Sequence, residues 1–349
     1  MSLKTEILEQ PEVLARLLEN QREPVEAIAA SLRKYEIRYL FLAARGTSDN
    51  AGLYAKYLWG AYNRLPTVLA TPSLFSLYGK PPSLKNALVV GISQSGRSPD
   101  IVEVIREARR QGAPTLVITN APDSPLAQTA EFVIDVQAGP EQAIAATKTY
   151  TAQLMAIAML SIALNRVAGE DDERWPDLQD VPTLVRQALD LEPVIERAAE
   201  RYRYMEQCVV LGRGFNYATA FEWSLKMKEL AYIIAAPYSS ADFQHGPVAV
   251  VSQGFPVLAV APDGVVFDDM HALLKSLVIR QGVELLAISN REEALSLAHT
   301  PLRLPIRMPE WVSPIVAITP AQLFSYYLTR AKGYDTEAPR GLQKVTLTH

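Results

Sequence analysis

The 349-residue chain has a single cysteine, Cys208, so it can form neither an intrachain disulfide nor a cysteine-ligated metal site. That thiol sits in the apolar run Cys208-Val209-Val210-Leu211, where a buried, inert role fits better than a nucleophile. Histidine is scarce as well, with four residues: His245, His271, His299 and His349. Excess charge is missing: 34 basic against 38 acidic residues give a net charge of −4 with no basic block, which argues against a nucleic-acid partner, because phosphate-backbone binding needs clustered Lys and Arg. The N-terminus lacks a basic-then-apolar signal pattern, and the longest apolar run, residues 152–164, is too short to span a bilayer. A cytoplasmic protein with no membrane partner is expected.

What the chain does have is alternation. Residues 11–33 carry apolar positions at helical spacing, with Pro11 and Pro24 near expected helix starts, and predict a pair of helices. Then Tyr39-Leu40-Phe41-Leu42-Ala43-Ala44 reads as a buried strand, followed by Arg45-Gly46-Thr47-Ser48 and an amphipathic helix. Strand, turn and helix recur from residue 87, and another strand follows at 115–118. Strands alternating with helices predict an α/β fold with a doubly wound parallel sheet, whose ligand sites lie beyond the carboxyl ends of the strands.

The second half restates the first. Leu211-Gly212-Arg213-Gly214 echoes the segment ending at Arg45-Gly46, and Arg280-Gln281-Gly282 echoes Arg110-Gln111-Gly112, both at an offset of about 170 residues. A duplicated domain follows. The expected organisation is an N-terminal helical segment (1–34), a first domain (35–168), a polar linker and helix (169–200), a second domain (201–335) and a C-terminal tail (336–349). In the tail, Leu342, Lys344 and Thr346 alternate with Val345 and Leu347, a pattern that fits a docked segment.

The two halves differ in chemistry. Gly91-Ile92-Ser93-Gln94-Ser95-Gly96-Arg97-Ser98-Pro99 places three serines between a strand end and a proline-started helix, where hydroxyls and unpaired N–H groups suit a phosphate ester; a purely structural N-capping loop is the competing reading. The equivalent stretch of the second half, Ala261-Pro262-Asp263-Gly264, offers a carboxylate that would repel phosphate, so one phosphate site per chain is expected, in the first half. The second half instead concentrates titratable groups. Glu222, Lys226 and Glu229 share a helix face at i,i+4 and i,i+3 spacing, which on its own reads as a solvated, salt-bridged surface. His245 stands in a loop before Gly246-Pro247, free of a regular element and suited to proton transfer.

Taken together, Arg45-Gly46-Thr47-Ser48, Ser93-Gln94-Ser95-Gly96, Ala146-Thr147-Lys148, Leu211-Gly212-Arg213-Gly214, Lys226-Met227-Lys228-Glu229, His245-Gly246-Pro247 and Pro339-Arg340-Gly341-Leu342-Gln343-Lys344 resemble the sugar isomerase (SIS) family, over nearly the whole chain. The resemblance is to the isomerase half of glucosamine-6-phosphate synthase and to stand-alone aminosugar-phosphate deaminases. It implies two flavodoxin-like SIS domains and a sugar phosphate held by Gly46, Thr47, Ser48, Ser93, Gln94, Ser95 and Ser98, with backbone help near Ile144 and Gln343. It further implies Glu229 as the base moving a proton between C1 and C2, and His245 as the ring-opening group, in relatives often from the neighbouring subunit of a homodimer. Lys344 would engage the open-chain carbonyl and Lys226 would support the site; no metal and no cofactor are implied.

Departures from the synthase pattern narrow the expectation. The chain begins Met1-Ser2 without a nucleophilic cysteine, so no glutamine-derived ammonia is expected; Arg97 and Ser98 replace Glu and Thr, and Ala146 replaces a serine. The segment Tyr238-Ser239-Ser240-Ala241-Asp242-Phe243-Gln244-His245 is closer to the deaminase version. The leading expectation is conversion of glucosamine 6-phosphate and water to fructose 6-phosphate and ammonia. A fructosamine-6-phosphate deglycase, another aldose–ketose isomerase, and a non-catalytic sugar-phosphate sensor stay open as alternatives.

Overall fold

The computed structural model describes residues 2–344 and divides into two compact units. One contains Glu12–Glu141, Lys148–Gln179 and the tail from Gln343; the other contains the chain up to Pro11, Gln142–Thr147 and Asp180–Leu342. They are called here the first and second units. Residues 345–349, and with them Val345, Thr346 and Leu347 of the expected docked pattern, lie outside the described residues.

The first unit is built on a five-stranded parallel sheet of β1 (Tyr39–Ala43), β2 (Thr67–Leu69), β3 (Ala87–Ser93), β4 (Thr115–Thr119) and β5 (Phe132–Asp135), in the order β2-β1-β3-β4-β5. β3 is buried along its whole length, as a central strand covered on both faces must be, hence its run of Leu, Val and Ile. The helices of the first half are α1 (Leu3–Leu8), α2 (Gln10–Leu32), α3 (Thr47–Asn63), α4 (Ser73–Ser76), α5 (Pro99–Arg110), α6 (Pro125–Thr129) and α7 (Lys148–Ala168). On one face Ile101, Val104 and Ile105 of α5 pack with Val89 and Val117 of the sheet. Gly91 lets them in: a Cβ there would lie 3.3 Å from both Ile105 and Val117. By length and composition α7 is the one helix among the described residues that could cross a bilayer, yet 78% of its apolar window is buried in the fold. It packs on α3, with Trp59 Nε1 donating to the Ile157 carbonyl at 3.2 Å.

The second unit repeats the plan with β6 (Gln207–Gly212), β7 (Ile234–Ser239), β8 (Pro256–Val260), β9 (Glu284–Ser289) and β10 (Thr300–Arg303), all parallel in the order β7-β6-β8-β9-β10. Its helices are α8 (Trp175–Leu189, which starts in the first unit), α9 (Glu192–Arg201), α10 (Tyr217–Ala231), α11 (Ser240–Gln244), α12 (Phe267–Ser276), α13 (Glu292–Leu295) and α14 (Ser313–Ala331). Relative to its own first strand, each sheet therefore has the same order, 2-1-3-4-5. The duplication inferred from the two sequence echoes is a duplication of topology.

One expectation is corrected. Pro24 was expected to start a second helix, but α2 runs through it from Gln10 to Leu32. Pro24 lies on the exposed side, where the carbonyl that loses its N–H partner still meets water, while Val13, Leu14, Leu17, Val25, Ala29 and Leu32 form one continuous buried stripe. The polar stretch 169–176 is also anchored: Asp172 is buried, pairs with Arg174 Nε at 2.9 Å, and accepts from Asn165 Nδ2 at 3.0 Å. Cys208 is fully buried in β6 and burial pushes its thiol up to about 12, so it is no nucleophile at neutral pH.

Candidate functional site

In a doubly wound sheet the crevice for a ligand opens where the strand order reverses, here between β1 and β3 in the first unit. The two loops flanking that point are those singled out in the sequence: Arg45-Gly46-Thr47-Ser48 after β1, and Ser93 to Ser98 after β3. Three serine hydroxyls are used there as acceptors. Gly96 N–H donates to Ser93 Oγ at 3.0 Å, Arg97 N–H to Ser95 Oγ at 3.4 Å, and Gln153 Nε2 to Ser48 Oγ at 3.1 Å. A serine that accepts inside the protein keeps its own O–H as a donor, which is what an oxyanion requires. Ser98 is the N-cap residue of α5, yet its side chain makes no cap hydrogen bond, so the competing N-capping reading fails for the residue that should carry it.

The loop is held in shape from below. Gly96 has φ +61°, and a Cβ there would sit 2.0 Å from Ser124 Oγ, so glycine alone fits; Leu126 N–H donates to its carbonyl at 3.1 Å. Arg45 reaches the start of α5, with Nε 2.8 Å and Nη2 2.7 Å from Oδ2 of the buried Asp100. That pair fastens the two loops to each other. Neither Arg45–Asp100 nor Gln153 was picked out from sequence: the partners are 55 and 105 residues apart and leave no local pattern.

Lys344 also belongs to the first unit. Its Nζ lies 3.0 Å from Oε2 of Glu141, a carboxylate with no exposed side-chain surface, which additionally accepts from Thr149 N–H (3.1 Å) and Oγ1–H (2.9 Å) at the start of α7. Gln343 beside it is exposed.

In the second unit, α10 carries the acid–base set. Lys226 Nζ lies 2.6 Å from Glu229 Oε2 and 3.3 Å from Glu222 Oε1. The solvated-face expectation is overturned: the side chains of Glu222 and Lys226 are 0% and 1% exposed, and only Glu229, at 23%, reaches the surface. The reason is that α10 is covered on one side by the sheet and on the other by α14, so even its charged positions are enclosed. Burial pulls the Lys226 ammonium down, but the carboxylates of Glu222 and Glu229 more than reverse this, and its pKa stands above the ordinary lysine value. The result is a permanent buried cation gripped from beneath by Glu222, with Glu229 facing outward.

Two further pieces are fixed by this unit. Ile144, half-buried, sits in a turn whose N–H groups at Gln142 and Ala143 donate to the fully buried Glu6 of α1, at 2.5 and 3.3 Å to Oε1. The tail is docked as far as Arg340: its guanidinium stacks 4.1 Å from the Tyr232 ring and its N–H donates to Tyr232 Oη at 2.9 Å, just beyond the end of α10.

His245 is not brought to Glu229 within this unit. It is exposed, in the loop after α11, beyond the carboxyl end of β7. Glu229 lies twelve residues into α10 from Tyr217, so about 18 Å of helix at 1.5 Å per residue separate it from that edge of the sheet.

These features define a class, a duplicated doubly wound α/β protein with serine hydroxyls gathered at the switch point of its first sheet and a carboxylate–lysine–carboxylate set on α10 of the second unit. The SIS domain profile matches residues 35–163 and again 203–331, and the chain belongs to the SIS domain family. It is 33% identical over 344 residues to the glutamine–fructose-6-phosphate aminotransferase (isomerizing) of Thermococcus kodakarensis, covering 97% of this chain and 56% of that protein. The chain thus spans little more than half the length of such curated relatives. Among solved structures it is similar to the C-terminal domain of glucosamine–fructose-6-phosphate aminotransferase from Francisella tularensis, with TM-score 0.84, 28% identity, and coverage of 97% of this chain and 98% of that one. The glucosamine-6-phosphate deaminase of Thermotoga maritima shares the fold, with TM-score 0.79 at 21% identity over the full length of both chains.

Proposed function

We propose that the chain is an aldose–ketose isomerase of phosphorylated aminosugars that releases ammonia, converting glucosamine 6-phosphate and water to fructose 6-phosphate and ammonia. The observation that carries the reading is the Glu222–Lys226–Glu229 set: a buried fixed cation beside one outward carboxylate is what C1/C2 proton transfer needs. The phosphate is bound by Ser48, Ser93, Ser95 and Ser98, with Gly46, Thr47 and Gln94 shaping the loops, and supplies positioning energy far from the reacting carbons. His245 assists ring opening. Glu229 takes the C2 proton of the open-chain aldehyde and, after exchange with solvent, delivers a proton to C1, while Lys344, with Lys226 in support, supplies positive charge to the carbonyl oxygen, which becomes a hydroxyl by taking up the proton that the C2 amine releases. The C2–N bond is then a ketimine, and water adds to it and expels ammonia, leaving the C2 ketone. Backbone groups near Ile144 and, separately, near Gln343 contribute further contacts.

The test is a panel of phosphorylated sugars assayed for ammonia, free amine and ketose. Equimolar ammonia and fructose 6-phosphate from glucosamine 6-phosphate is the expected result. Ketose without ammonia from an unaminated sugar phosphate would move the substrate to another isomerase reaction, amine release from a fructosamine 6-phosphate would make it a deglycase, and binding without turnover of any member would make it a sensor.

The distance along α10 between Glu229 and the His245 edge supports a homodimer in which His245 acts on the partner's substrate. Mixing inactive His245→Ala with inactive Glu229→Gln should restore about half of the wild-type activity per mixed dimer, because one of its two sites then carries both native groups. Verified mixed dimers with no recovered activity would place both groups in one chain.

A further inference from the structure

The second sheet has a switch point too, between β6 and β8, flanked by Arg213-Gly214-Phe215-Asn216 and by residues 261–266. Asp263 was expected to be what keeps an anion away from it. In the structure Asp263 is turned aside: its Oδ1 lies 2.6 Å from Arg291 Nη1, and its N–H donates to Asn290 Oδ1 at 2.7 Å. The carboxylate against the loop belongs to Glu310. Val265 N–H donates to Glu310 Oε2 at 2.8 Å. A Cβ on Gly264 would lie 2.3 Å from Glu310 Cδ and 2.4 Å from Oε2, and a Cβ on Gly214, in the other loop, 3.6 Å from Oε1. The carboxylate therefore fills the space a side chain on Gly264 would need and lies within van der Waals reach of one on Gly214, in the other loop flanking the reversal of strand order.

Glu310 is held there by its own turn. Ser313 Oγ–H donates to the Glu310 carbonyl at 2.6 Å, and Asn216 Nδ2 donates to Ser313 Oγ at 2.7 Å. Asn216 and Ser313 are both buried, and Thr219 Oγ1–H holds the Asn216 side chain through its Oδ1 at 2.9 Å. The loop after β6 and the turn before α14 are thus fastened through one side-chain chain, with the carboxylate aimed between the glycines.

We propose that the switch point of the second sheet is an oxyanion cradle occupied by the chain's own Glu310 carboxylate, an internal ligand standing where the first sheet carries its serine loops. Two carboxylate oxygens on one carbon match two oxygens of a phosphate or of a small monocarboxylate, and a backbone N–H with glycine walls is the same recognition chemistry used for either. The duplication then yields one cradle for an outside ligand and one closed from within, and Gly264 is glycine because the carboxylate needs the space. This inference rests on the fold and not on the sugar-phosphate reading, so either can fail alone.

The test uses the full chain as wild type, Glu310→Ala and Glu310→Gln, with melting temperature followed against sodium formate, acetate or phosphate and sodium chloride of matched ionic strength. Glu310→Ala should melt about 3 °C or more below wild type and recover at least half of that in formate or acetate but not in chloride. Recovery in phosphate alone would assign the cradle to phosphate geometry and still support it. Wild type and Glu310→Gln should show no anion-specific gain, since the first has its carboxylate and the second keeps an amide oxygen on Val265 N–H. A Glu310→Ala response equal to wild type in every salt overturns the proposal. Should Glu310→Ala fail to fold, valine-selective 15N spectra of wild type and Glu310→Gln decide: Val265 must show the largest amide shift among the valines, and an unmoved Val265 overturns it.

Discussion

Glu229→Gln should lower turnover of glucosamine 6-phosphate by about 10²–10⁴-fold while leaving the protein folded and its affinity for the sugar phosphate within a few-fold of wild type. The amide preserves the size of the side chain and can still accept from Lys226 Nζ, which lies 2.6 Å from Oε2, but it cannot take a proton from carbon. Ammonia release and the binding constant, measured on the same preparations, separate the two effects. A variant with a normal rate would remove Glu229 from the proton transfer, and one with a normal rate constant but weakened binding would make it a contact residue only.

Glu222→Gln should cost about 3–5 kcal/mol of stability, the largest single loss expected from a polar position in the second unit. Lys226 is 1% exposed and Glu222 0%, so removing one carboxylate leaves a buried ammonium with half its compensation. Lys226→Met should cost a similar amount for the converse reason. The double variant Glu222→Gln/Lys226→Met should cost less than the sum of the two, because neutralising both partners removes the uncompensated charge. Urea midpoints of the three variants test this, and losses that add within about 0.5 kcal/mol would show that the two groups do not interact. The pH dependence has a definite sign. Folding raises the Lys226 pKa above its ordinary 10.5, so its contribution is whole at every pH below that value and is lost only as pH rises toward the folded-state value.

The central strands were legible because a parallel strand buried on both faces is a continuous apolar run, as in β1, β3 and β6. The edge strands β2 and β10 were not, since β2 has three residues and β10 alternates buried and exposed positions. The repeated Arg-Gly turns exposed the duplication, and both turns lie at switch points. Of the site residues named from sequence, Ser48, Ser93, Ser95, Lys226, Glu229 and Lys344 make side-chain hydrogen bonds or ion pairs, while His245 and Gln343 are exposed. The groups that hold them escaped notice. Glu6, Gln153 and Glu141 act on residues 137, 105 and 203 positions away, and pattern within a window of one or two helical turns carries no trace of such pairings. The i,i+4 spacing of Glu222 and Lys226 reads the same on a solvated face as beneath a second helix, and only α14 distinguishes the two.

The central claim is that this SIS chain moves a proton between C1 and C2 of a phosphorylated aminosugar through Glu229. Its most direct test is the reaction of glucosamine 6-phosphate in deuterated water with wild type and Glu229→Gln, followed by NMR at C1 of the fructose 6-phosphate formed. Solvent deuterium appearing at C1 with wild type and absent with the variant is the predicted result. Ammonia release by both proteins at equal rates, or binding by wild type with no deuterium incorporated and no ammonia formed, would contradict it.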